Sequence, residues 1–98
     1  MRYLVRRRST DKIIRFYKNV SKKYKHTYSE ELMRTNVTEA YDAMFLIEHS
    51  LLRRRPTIAR WQKEGWHMAT AGHWYYAYTI ESDTIIIQDA CHNQNMHE

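Results

Sequence analysis

The stretch "HWYYAYTIESDTIIIQDACHNQN", residues 73–95, decides how the rest of the chain is read. Its aromatic half and its aliphatic half alternate about "ESDT", which reads as two strands around a turn. A two-residue turn at Ser82-Asp83 sets Ile80 opposite Ile85, and a four-residue loop from Glu81 to Thr84 leaves that pairing unchanged. Counting outward, Tyr78 faces Ile87, Tyr76 faces Asp89, Tyr75 faces Ala90 and His73 faces His92. A three-residue loop would shift this register.

Side chains alternate across a sheet, so the same count sorts the faces. Trp74, Tyr76, Tyr78 and Ile80 share one with Ile85, Ile87, Asp89 and Cys91. That face is largely apolar and suits packing on helices. His73, Tyr75, Ala77 and Thr79 share the other with Ile86, Gln88, Ala90 and His92, a face with little apolar bulk. Directly opposed residues have Cβ atoms about 4.5–5.5 Å apart, close enough for two imidazoles to act together. The face taken by His67 depends on the turn at Gly72 and stays open.

Upstream, "RYLVRR" at 2–7 reads as a short strand, and "STD" at 9–11 offers helix-capping oxygens. Ile13, Phe16, Tyr17, Val20 and Tyr24 then recur at helical spacing, with Lys12, Arg15, Lys18, Lys22 and Lys23 on the remaining surface. "KHT" at 25–27 breaks the pattern, and Thr27 with Glu30 fits a capping box. Leu32, Val37, Ala40, Tyr41, Met44, Ile47, Leu51 and Leu52 define a second helix, ended by "RRRP" at 53–56. Thereafter the period falls to two: "TIARW" and "WHMATA" are short strands before the hairpin. The resulting order is β-α-α-β-β-β, an α+β domain with an antiparallel-rich sheet and a helical hairpin on one face.

The chain has 98 residues, which suits one domain with a single modest core. With 43% hydrophobic and 28% charged residues, disorder is excluded. The lone Cys91 excludes an internal disulfide framework and a four-cysteine zinc site, and points to the cytoplasm. The longest apolar run, "AMFLI" at 43–47, falls far short of the roughly 20 residues of a membrane span. The first residues lack the apolar core of a signal peptide. Residues 1–63 hold all 16 Lys and Arg against six acids, a balance of +10, while residues 64–98 hold five acids and no Lys or Arg, −5. Such a basic half attracts polyanions, above all nucleic acid. The bland alternatives are a solvated face or a dock for an acidic protein.

Two imidazoles on a polar face of a basic protein can divide general-base and general-acid work near neutral pH. RNA supplies its own nucleophile, the 2′-hydroxyl, so a base beside it and an acid beside the departing 5′-oxygen cleave the strand without a metal. Tyr75, Trp66 or Trp74 would stack on a base. The competing reading makes His73 and His92 hydrated residues at a sheet edge. Zinc is disfavoured because Cys91 points to the other face and too few ligands converge.

From Trp66 on, "WHMATAGHWYYAYTIESDTIIIQDACHNQN" resembles the RelE/ParE superfamily of bacterial toxin components. The shared shape is a strand, a glycine turn, an aromatic strand with "YAY", an aliphatic strand and a polar end that begins with histidine. The upstream strand and two helices are similar too. The resemblance implies a toxin of a toxin-antitoxin system, either an endoribonuclease cutting mRNA on the ribosome or a ParE-like inhibitor of DNA gyrase. It implies a cognate antitoxin as partner, no cofactor and no membrane. The ribonuclease branch has its active site on the concave sheet face. Tyr75 stands where RelE has a catalytic arginine, while Met68 and Trp66 stand near its lysines, so those basic groups are missing here. His92 matches the C-terminal histidine of members similar to HigB and YafQ. His73 stands where YafQ-like members carry an acid, and their other histidine aligns nearest Ala69, two residues from His67. The expected catalytic set is His92, His73, Tyr75 and His67. Arg53, Arg54, Arg55, Arg60, Lys63 and Trp66 are the expected RNA contacts.

Overall fold

The computed structural model describes residues 2–24, 26–48 and 53–95. Among the described residues the chain is an α+β fold with three α-helices and a mixed sheet. Its elements are β1 (Arg2–Val5), α1 (Arg7–Lys23), α2 (Glu30–Ala43), β2 (Arg53–Arg54), α3 (Ala59–Glu64), β3 (His67–Ala71), β4 (Trp74–Glu81) and β5 (Thr84–His92). Four strands carry the sheet and the two-residue β2 extends its edge, in the order β1-β5-β4-β3-β2. β1 runs parallel to β5, from Arg2 opposite Thr84 to Val5 opposite Ile87. All other neighbours are antiparallel.

The helical hairpin covers one face, as its periodicity predicts. Ile13, Ala40, Met44 and Ile47 are buried against Trp74, Tyr76, Tyr78, Ile85, Ile87 and Ala90. The Tyr76 hydroxyl donates to the Ala40 carbonyl at 2.6 Å, so the phenol's burial leaves no orphan group. Tyr24 departs from the stripe: it caps the C-terminus of α1 and is half-exposed.

Several boundaries differ from the sequence reading. Arg6, not the Ser9–Asp11 run, precedes the first helical turn, because the Arg6 N–H bonds the Ile87 carbonyl and ends the β1 ladder there. Ser9 is thus inside α1, buried, with its hydroxyl donating to the same carbonyl at 3.4 Å. Ser29 caps α2, its side chain accepting the Leu32 N–H at 3.0 Å. Thr27 is not the cap, because its hydroxyl and its N–H are both spent on the Tyr24 carbonyl. Ser29→Ala is accordingly expected to cost about 1 kcal/mol of stability in a denaturant titration, and Thr27→Ala much less.

α2 gives way to a 3-10 turn over Met44–Leu46, and Leu51 and Leu52 lie outside the described residues. Arg53 and Arg54 do not end a helix: they pair with Ala69 and Met68 at the sheet edge. "TIARW" is not a strand either. Ala59–Glu64 winds into α3, closed by Gly65 at φ 72°, a left-handed conformation that glycine adopts without strain. The alternation seen there in sequence places Ile58 and Trp61 on one side of a helical turn. Both are buried with Met68, Ala77 and Cys91, against half-buried Trp66 and Tyr75. The sheet is therefore covered on both faces.

The turn at Ser82-Asp83 has two residues, and Ile80–Ile85 and Tyr78–Ile87 pair as the sequence predicts. Beyond them the ladder slips at a β-bulge. Ala77 pairs with Asp89, Tyr76 with Ala90, Tyr75 with Cys91 and Trp74 with His92. Gln88 is the extra residue, its amide held by the Thr79 hydroxyl at 3.0 Å. The unbulged register would have set a carboxylate opposite Tyr76 in the apolar core. The bulge instead turns Asp89 to the α3 face and brings Ala90 and His92 to the helix-hairpin face.

Candidate functional site

β1 stops opposite Ile87, so among the described residues the last part of β5 has no strand on that side. α1 packs there and reaches residues of both layers. Ile13 and Phe16 join the hairpin core, whereas Lys12 contacts Asp89 and Arg8 lies over Trp66. Asp89 is fully buried and forms a hub. It takes the Lys12 ammonium at 3.1 Å, the Arg60 guanidinium, the Trp61 indole N–H at 3.0 Å and the Ala90 N–H at 2.9 Å. A buried carboxylate is tolerable only when it is paired and its lone pairs are filled, and here both conditions hold.

Three residues on, β5 ends at His92. Its ring stacks on Phe16, centroids 4.0 Å apart and planes 13° apart, and meets the edge of Trp74 at 5.3 Å. The His73 ring lies 5.9 Å away, its plane within 24° of that of His92. Backbone bonds close the corner: the Asn93 N–H donates to the His73 carbonyl at 2.8 Å, and the Gln94 N–H to His92 Nδ1 at 3.2 Å. With Nδ1 accepting, neutral His92 carries its proton on Nε2. Burial lowers the pKa of His92 from its ordinary 6.5, and the neighbouring His73 lowers it further, so the neutral form prevails at neutral pH.

The histidines therefore do meet, but not as an opposed pair on a bare polar face. The bulge sets His92 opposite Trp74 on the α1 side, while His73 belongs to the turn before β4. Tyr75 pairs with Cys91 and packs in the α3 layer, on the opposite face from His92. His67 pairs with Tyr78, which faces the hairpin helices, and their rings are 5.4 Å apart. Tyr78 pairs with Ile87, five residues from His92, so His67 is roughly 16 Å from the histidine corner by strand rise. It does not join that corner.

The expected RNA contacts are dispersed. Arg55 and Lys63 are exposed, Arg60 is spent on Asp89, and Trp66 is half-buried beneath the Arg8 guanidinium, 5.7 Å from its centroid. The side chains of Arg53 and Arg54 lie outside the described residues. What the sequence reading missed is one stripe of α1. Arg8, Lys12, Arg15, Asn19 and Lys23 follow at intervals of four, three, four and four, and so share a helix face. That spacing is present in the sequence, where Lys12, Arg15 and Lys23 count only as surface left over by the apolar stripe and Arg8 and Asn19 are not singled out.

Three depressions converge on His92. Lys12, Arg15 and Asn19 line one of about 150 Å³ with Phe16, Trp74 and Cys91. Asn19, Lys23, Tyr24 and Gln94 line a second of about 470 Å³. His73, Asn93 and Gln94 line a third, also of about 470 Å³. Cations, amides and two imidazoles thus surround one corner, an arrangement that can bind an anion and move a proton beside it. Among the described residues no three His, Cys, Asp or Glu side chains are grouped as metal ligands, and no helix is long and apolar enough to cross a membrane. Comparison with protein families, with curated proteins and with solved structures finds no match for this chain.

Proposed function

We propose that the chain is a RelE-like endoribonuclease toxin, acting on mRNA at the ribosome in the cytoplasm and held in check by a cognate antitoxin. The observation that carries this reading is the His73–His92 pair, rings 5.9 Å apart, beside the cationic stripe of α1. The order of strand, helical hairpin and closing antiparallel strands supports it, as does the resemblance of residues 66–95. Arg15 and Lys23 hold phosphates, and His92 with His73 serves the proton transfers at the 2′-hydroxyl and the 5′-oxygen. His92 offers Nε2–H as a donor in the conformation described. To accept a proton, it must first release Nδ1 from the Gln94 N–H, so the turn at Asn93–Asn95 governs which role the imidazole plays.

A specific observation favours the second reading, a ParE-like gyrase inhibitor or a non-catalytic protein binder. His92 is only 8% exposed and is clasped by aromatic rings, as a structural imidazole would be. Induced expression separates the two. The ribonuclease reading expects translation arrest with cut message. Intact message with accumulating DNA breaks would transfer the reading to gyrase.

The phosphate track has its own test. Each phosphate contact on a single strand contributes about −0.7 to the slope of log affinity against log salt. Replacing Arg15 and Lys23 together with Ala is expected to flatten that slope by about 1.4 for a short single-stranded RNA. An unchanged slope would return both side chains to a solvated face.

A further inference from the structure

The second of the depressions beside His92 is more than a phosphate site. Its wall is aromatic, from Phe16, Tyr17 and the half-exposed Tyr24, and its rim carries the amides of Asn19 and Gln94. The Lys23 ammonium stands over the Tyr24 ring at 5.4 Å, which places a cation at the mouth. A flat ligand with donors and acceptors on its edge matches these groups better than an aliphatic side chain does. Aromatic rings stack on the faces of bases, and side-chain amides read their edges. The third depression shares His92 and Gln94 with this one, so a ligand seated on Tyr24 continues toward His73.

We propose that the groove between the C-terminal turn of α1 and the end of β5 seats one nucleobase of single-stranded RNA, with Tyr24 as the stacking platform and Asn19 and Gln94 reading its edge. The inference rests on the ribonuclease reading for its substrate, and it assigns that enzyme a nucleotide preference. The ribose and phosphate next to the seated base then lie beside His73 and His92.

The test uses the full chain, labelled with nitrogen-15, and each of the four ribonucleoside 3′-monophosphates, with ribose 5-phosphate as the base-free control. The side-chain amide signals of Asn19 and Gln94 are expected to shift with one nucleotide preferred over the other three. Asn19→Ala and Tyr24→Ala should each weaken that binding roughly tenfold. Thr38→Ala, an exposed change on α2, should leave it unaltered. Both test positions are exposed, so loss of folding does not confound the result. Equal shifts with ribose 5-phosphate, or silent Asn19 and Gln94 amides, would overturn the base site. The ribonuclease reading is judged separately on RNA. Nucleotide binding at the amides with RNA left intact keeps the base site and removes the nuclease, whereas cleavage with the same sequence preference in Asn19→Ala removes the base site alone.

Discussion

Asp89→Ala is expected to destabilise the protein by about 3 kcal/mol, the lower end of the cost of breaking a buried ion pair from one side. The lower end applies because the partners are partly open to water: the side chains of Lys12 and Arg60 are 28% and 52% exposed. The loss is still large for a domain of this size, whose total stability is of the order of 5–15 kcal/mol. It should lower the thermal midpoint by roughly 12 °C or more. The carboxylate joins α1, α3 and β5 at one point, so its removal takes an ionic partner from each of two cations and leaves the buried Trp61 N–H without this acceptor. Asp89→Asn is expected to fall between wild type and Asp89→Ala, since an amide oxygen still accepts from Trp61 but forms an ion pair with neither cation. Lys12→Met, which keeps the aliphatic stem and drops only the charge, should cost much less. A midpoint for Asp89→Ala within two degrees of wild type would mean that the hub contributes nothing net.

The same residue explains where the sequence could be read and where it could not. Tight alternation on either side of "ESDT" made the hairpin legible, and its first pairs, Ile80–Ile85 and Tyr78–Ile87, follow from the two-residue turn. The error begins at Gln88. A straight count sets Asp89 among Ile85, Ile87 and Tyr76, an ionised group on an otherwise apolar face. That misfit was the visible sign of a bulge, because a buried charge needs partners and no cation was available in that row. Its partners, Lys12 and Arg60, lie 77 and 29 residues away, and only the folded chain brings them near. On β5 every face assignment beyond the bulge is inverted for the same reason: one extra residue moves Ala90 and His92 to the helix side and Asp89 and Cys91 to the other, while Trp74, Tyr75, Tyr76 and Ala77 on β4 keep their expected faces. α3 was illegible on different grounds. Six residues are too few for helical periodicity to outweigh alternation, and the helix forms because Trp61 has a core to fill and an acceptor on Asp89. The α1 stripe was legible but unused, since charges on a helix surface mean little until something lies opposite them. His92 is what lies opposite.

His92→Ala is expected to slow RNA cleavage by roughly 10²- to 10⁴-fold, the usual contribution of a positioned acid or base. RNA affinity should change little, because Arg15 and Lys23 attract the strand independently of the imidazole. Alanine also removes the ring held between Phe16 and Trp74, so two further variants separate chemistry from packing. His92→Gln keeps a polar group and His92→Phe keeps a ring; neither can shuttle a proton, and both should be nearly as slow as alanine. The pH dependence of folding gives an independent check on the same side chain. Its pKa in the folded protein lies below the ordinary 6.5, so between the two values the unfolded chain binds more protons than the folded one. The contribution of neutral, buried His92 is therefore complete above about pH 6.5 and declines as pH falls through that window. His92→Phe should remove this decline while preserving the stack on Phe16. A His92→Phe protein that has lost the acid-side decline yet cleaves RNA at the wild-type rate would make the imidazole structural, and the proton transfer would then have to be sought at His73, the exposed ring 5.9 Å away.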